Sequence, residues 1–119
     1  MKEGEAAMED EDFKTAVAKF DAVIKARPDF AEGWNQRAIV HFLNGDIAGA
    51  LDDVERTLAL EPRHFGALSG RGECYLRLRR PRDALAAFQQ TLRIDPWLDT
   101  VRARVEMLRD WTSQQPHAI

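Results

Sequence analysis

The chain has 119 residues, with 17 Lys and Arg against 20 Asp and Glu, 45% hydrophobic and 31% charged, a balance that places it among ordinary soluble single-domain proteins. A chain of this length builds a core without metal or disulfide staples, and its one cysteine, Cys74, has no internal partner. No apolar run approaches the roughly 20 residues that cross a bilayer, so no membrane span is expected and stability calls for no cofactor. The start, Met1-Lys2-Glu3-Gly4-Glu5, is acidic where a secretory signal would be basic and then greasy. The cytoplasm is therefore the default compartment, with an exported fragment as the alternative.

In chain order, Phe13, Ala16, Val17, Phe20, Val23 and Ile24 recur at spacings of three and four, the apolar stripe of a helix. The next helix is predicted from Ala31 to about Asn44, where Asn44-Gly45-Asp46 offers a glycine C-cap and then an aspartate N-cap. Ile47, Ala50, Leu51, Val54 and Leu58 mark a helix from Ile47 to Leu60, and another is read from Phe65 to Leu78. Arg80-Pro81 opens a helix that runs to Ile94, with proline in the first turn, where its missing N–H costs nothing. Leu98, Val101, Val105 and Leu108 predict a last helix to about Thr112, followed by a tail. No stretch alternates with period two, so the class is all-α.

Pro28, Pro62 and Pro96 stand 34 residues apart, a period that signals stacked supersecondary units. Residues 28–61 set over 62–95 share Pro28/Pro62, Arg37/Arg71, Ala50/Ala84, Leu51/Leu85, Thr57/Thr91 and Leu58/Leu92. Ala16, Ala50 and Ala84 occupy one slot, and Phe20, Val54 and Phe88 another four residues later. The phrases Ala31-Glu32-Gly33-Trp34, Gly45-Asp46-Ile47, Ala50-Leu51 and Thr57-Leu58-Ala59-Leu60-Glu61-Pro62 closely resemble the tetratricopeptide repeat, of a bacterial type. That resemblance implies a right-handed superhelical stack of antiparallel helix pairs: a partial first repeat over 1–27, repeats over 28–61 and 62–95, a capping helix over 96–113 and a tail over 114–119, all in one domain. Small residues at Gly4, Ala38 and Gly72, and at Ala16, Ala50 and Ala84, let paired helices approach closely. The departures from the family pattern are Arg37 and Arg71 where leucine is preferred, His41 in a tyrosine slot, Val54 for an aromatic, and Arg79 where a turn glycine is usual.

Chemistry-bearing residues are sparse. His41, His64 and His117 include no pair at the i, i+4 spacing of a zinc helix, and Cys74 has no second cysteine. Cys74 reads as a small core residue, His41 as a core histidine with a hydrogen-bonded ring nitrogen, and Asp52-Asp53 as part of a solvated helix face. Gly66, Gly70 and Gly72 lie inside a helical repeat rather than after a strand, so they form no phosphate loop. The expectation is no enzyme, no metal and no cofactor. Charge is uneven: residues 1–62 carry net −7 and residues 63–95 net +4, with Arg77, Arg79, Arg80 and Arg82 crowding one turn. Without interleaved aromatics, in a chain of net −3, these arginines point to a solvated turn or an acidic protein partner rather than to nucleic acid.

By the same resemblance, the ligand-facing positions are Glu32, Asn35, Ile39 and Phe42, then Gly66, Ser69, Glu73, Leu76 and Arg77, and finally Arg104, Met107 and Trp111. The apolar stripes do not require Ile39, Phe42, Leu76, Met107 or Trp111, so the expected function is a non-catalytic interaction module holding a partner's peptide segment or helix in the concave groove of the array. Packing between units is the competing role for Phe42 and Leu76. The family's chaperone-tail clamp is not expected, because only Asn35 and Arg104 suit it. Arithmetic on the period gives about seven helices, the first cut short with only Met1-Lys2-Glu3 before the Gly4 slot. Either the repeats continue upstream or the first unit is a degraded cap. An uncovered apolar end near Met8, Phe13 and Val17 suggests the alternative function, a self-associating assembly domain that dimerises through its N-terminal end.

Overall fold

Six helices and short turns make up the computed structural model, which describes residues 10–114. They are α1 (Asp10–Ala26), α2 (Ala31–Leu43), α3 (Ile47–Leu60), α4 (Phe65–Arg77), α5 (Pro81–Ile94) and α6 (Asp99–Gln114). Among the described residues there is no strand, and the chain is an all-α helical repeat. Predicted and observed boundaries agree to within a residue for α2 to α5. α6 continues to Gln114, past the expected end near Thr112, because nothing there breaks it: Thr112 and Ser113 turn their hydroxyls onto the carbonyls of Arg109 and Asp110. The shortened first helix, the Gly4 slot, Met8 and residues 115–119 of the tail lie outside the described residues.

The helices fall into two compact units that divide after Pro62. In the first, α2 packs against both α1 and α3. Phe13 and Ile24 from α1, Ala31, Ala38 and Val40 from α2, and Ala50, Val54 and Leu58 from α3 are buried. Two expectations fail here. Asp53, expected on a solvated face, is only 4% exposed. Arg37 holds it with a two-pronged contact, Nε to Oδ2 and Nη2 to Oδ1 at 2.8 Å each, while Nη1 reaches Asp21 of α1 at 2.7 Å. Arg37, in a slot that suits leucine, thus ties together all three helices of the unit. Hydrogen bonding to Asp53 raises its pKa above an already high value, against the opposing effect of burial, and Asp21 adds to the rise. His41 is half-buried rather than a core residue; its ring nitrogens stand 3.5 Å from Asp46 and 3.7 Å from Asp53.

In the second unit α5 packs against α4 and α6. Phe88 is 0% exposed, and it clusters with Ala84 of its own helix and with Val101, Val105 and Leu108 of α6. On the α4 side its ring lies so close to Gly72 that a Cβ there would sit 2.5 Å from it, which is why that slot takes the smallest residue. Cys74 is buried, as expected of a core residue. Thr57 and Thr91, one period apart, are both fully buried and donate to the carbonyls four residues earlier, Asp53 and Ala87.

The period extends to the turns. After α2 the N–H of Gly45 donates to Phe42 and that of Asp46 to His41; after α4 the N–H of Arg79 donates to Leu76 and that of Arg80 to Tyr75. Both are Schellman endings, which require a left-handed residue. Gly45 supplies it at φ 84°, and Arg79, 34 positions on, adopts φ 60°. A side chain in that conformation costs roughly 1–2 kcal/mol. Asp46 then caps α3 by accepting the N–H of Gly49, and the Nδ1 of His64 accepts the N–H of Ala67 to cap α4.

Candidate functional site

The second unit brings most of its predicted ligand-facing residues onto one surface. Ser69, Glu73 and Leu76 follow one another at four and three along α4, and Arg104, Met107 and Trp111 at three and four along α6, so each set shares a helix face. At mid-length Arg104 grips Glu73, with Nε to Oε2 at 3.0 Å and Nη2 to Oε1 at 3.1 Å. Two side chains each assigned to a ligand are thus partners of one another, 31 residues apart, in a half-exposed pair.

A recess lies beyond each end of the pair. Toward the helix starts, an open recess of about 310 Å³ is lined by Phe65, Gly66 and Ser69 on one side and Leu98, Asp99 and Val101 on the other. Toward the helix ends, an open recess of about 450 Å³ is lined by Leu76, Arg79, Pro81, Met107, Leu108 and Trp111. Of these, Met107 is 49% and Trp111 44% exposed, whereas Leu108 is buried in the Phe88 cluster and forms the floor. Arg77 is exposed on the same helix end. Sequence reasoning missed Arg79, Pro81 and Leu108 as lining residues. The glycine slot filled by Arg79 was the available signal; Leu108 gave none, because its spacing marks it as core.

In the first unit the predicted positions do not converge in this way. Glu32 accepts from Gln36 at 2.7 Å along α2. Asn35 is only 8% exposed, which corrects the expectation of an outward side chain there. Ile39 is exposed and Phe42 half-buried. A recess of about 370 Å³ lies elsewhere, between Phe13, Lys14, Val17 and Asp21 of α1, His41 of α2 and Asp46 at the cap of α3, and none of the four predicted α2 residues lines it.

Among the described residues no group of three or more His, Cys, Asp or Glu side chains could hold a metal ion, and no helix is long and apolar enough to cross a membrane. The charge of residues 63–119, ten arginines against six acidic side chains, is net +4.

Comparison with known proteins agrees with the geometry. The family profile described as tetratricopeptide repeat matches residues 1–56 and 44–96. A TPR repeat-containing protein of Rhizobium etli is 34% identical over 110 residues, which cover 92% of this chain but 54% of that relative, so the chain spans about half its length. Among solved structures, the first TPR of Spaghetti (RPAP3), bound to the HSP90 peptide SRMEEVD, superposes with a TM-score of 0.82 at 19% identity, covering 86% of this chain and 81% of that one. The Arabidopsis OM64 TPR domain gives 0.80 at 23% identity, covering 90% and 88%. With a 34-residue period, paired helices, a repeated Schellman turn and a profile match over most of its length, the chain belongs to the tetratricopeptide repeat family.

Proposed function

We propose that the chain is a non-catalytic protein-interaction module that holds a peptide segment or helix of a partner on the α4 and α6 face of its second unit. The observation that carries this reading is the convergence of Leu76, Met107 and Trp111 on one recess floored by Leu108. Half-exposed methionine and tryptophan side chains around an apolar hollow are the usual anchors of an interface, and methionine adapts its shape to what it meets. The recess lining contains no nucleophile and base to carry out a reaction, and the reading needs no cofactor. Peptide binding by the Spaghetti domain, a structure of similar fold, supports the class of function but not the ligand.

The test is selection of a phage-displayed twelve-residue peptide library on the immobilised protein, followed by titration of a selected peptide against wild type and Met107→Glu. Met107 is half-exposed, so the variant should keep the wild-type circular dichroism and melting while binding about tenfold or more weakly, the usual cost at an interface anchor. Unchanged affinity in the folded variant, or a library that yields nothing above background, would contradict the proposal.

A further inference from the structure

We propose that the recess between the ends of α4 and α6 takes a large apolar side chain from an acidic internal segment of a partner, and that Arg79 selects the acid. The inference rests on the peptide-binding reading above and specifies the chemistry of its ligand.

Two properties of the recess define the occupant. Its walls and floor, Leu76, Met107, Leu108 and Trp111, are apolar, and about 450 Å³ accommodates one aromatic or branched side chain together with the backbone that carries it. Its rim is basic. The basic group is Arg79, the one charged residue of the lining. Arg80, next to it, is already held by Asp83 at 2.7 Å and covers the Tyr75 ring at 4.8 Å. Arg79, by contrast, has no ion pair among the described residues. The partial negative charge at the end of α4 disfavours an anion, but the start of α5, which has no side-chain cap, points the opposite dipole end at the same turn. Arg79 and the net +4 of residues 63–119 favour an anion there.

The backbone adds a second observation. The equivalent turn after α2 uses Gly45 in the same hydrogen-bond pattern, so glycine fits this turn without strain. Arg79 occupies the left-handed position despite its side chain, and that side chain lies on the rim of the recess. Strain of this kind persists at ligand clamps, where it holds a group in place. An internal segment suffices, because the contacts offered are a hollow for a side chain and one guanidinium group for a side-chain carboxylate.

The probe is a fluorescein-labelled, C-amidated eleven-residue peptide with a central Phe, two Glu on each side and a Ser-Gly background, read by fluorescence anisotropy at low salt. Wild type should bind it about fivefold more tightly than the peptide with Gln for Glu, and about tenfold more tightly than the peptide with Ala for Phe. Arg79→Gly should raise the urea midpoint, because the strain is relieved, and yet bind the Glu and Gln peptides equally. Gain of stability with loss of charge preference is a pairing that a merely structural arginine would not give. The inference is overturned by equal binding of the Glu and Gln peptides by wild type, by an undiminished preference in Arg79→Gly, by binding only when the peptide ends in a free carboxylate, or by tighter binding of a twelve-residue oligothymidylate. If library-selected peptides bind and the Glu-Phe peptide does not, the inference fails and the peptide-binding reading stands; if no peptide of either kind binds, both fail.

Discussion

Phe88→Ala is expected to destabilise the fold by about 3–5 kcal/mol, the cost of emptying a fully buried aromatic site. The ring is the common contact of three helices: it lies against the bare backbone of Gly72 in α4, beside Ala84 in α5, and among Val101, Val105 and Leu108 of α6. Removing it leaves a cavity that neither a glycine nor an alanine wall can collapse to fill. Urea titration followed by circular dichroism measures the loss. A change below about 1 kcal/mol would mean that the site closes up after truncation, and that Phe88 is not the packing centre of its unit.

Arg37→Leu is expected to cost about 2–4 kcal/mol, although leucine is the residue that the repeat pattern prefers at that position. The cost comes from what is left behind: Asp53, 4% exposed, loses both of its guanidinium contacts. Stranding a buried charge typically costs about 3–5 kcal/mol, and the value is discounted here because the Arg37 side chain keeps 22% of its exposure. Adding Asp53→Ala should recover stability to within about 1 kcal/mol of wild type, because an apolar pair of similar packing replaces a buried ion pair at little net cost. Thermal or urea melts of the four proteins close the cycle. Additive losses would show that the two side chains act independently.

That pair also shows where sequence reading stops. Helix positions were legible because the 34-residue period, the stripe spacing and the caps are local, and Asn44-Gly45-Asp46 and Pro81 stand where the chain turns. The burial of Asp53 was not, because an apolar stripe assigns every charge beside it to water. The side chain that overrides that assignment, Arg37, sits 16 residues away on another helix. Asn35 failed for a related reason: the family pattern gives a position on α2, but burial depends on what packs over it. At the candidate site the residue types were readable while their partnerships were not. Glu73 and Arg104, each expected to face a ligand, hold one another, and Leu76 and Met107 line one recess only because α5 returns the chain between them.

The proposed binding site is confined to the second unit: a face of two helices pinned at the middle by one ion pair, with an apolar hollow and Arg79 at one end. The most direct test is an amide proton–nitrogen NMR titration of the labelled protein with a library-selected peptide. The largest shifts are expected between Ser69 and Arg82 and between Arg104 and Trp111. Shifts centred on α2 and α3, or on the face of α5 away from these residues, would contradict the proposed site.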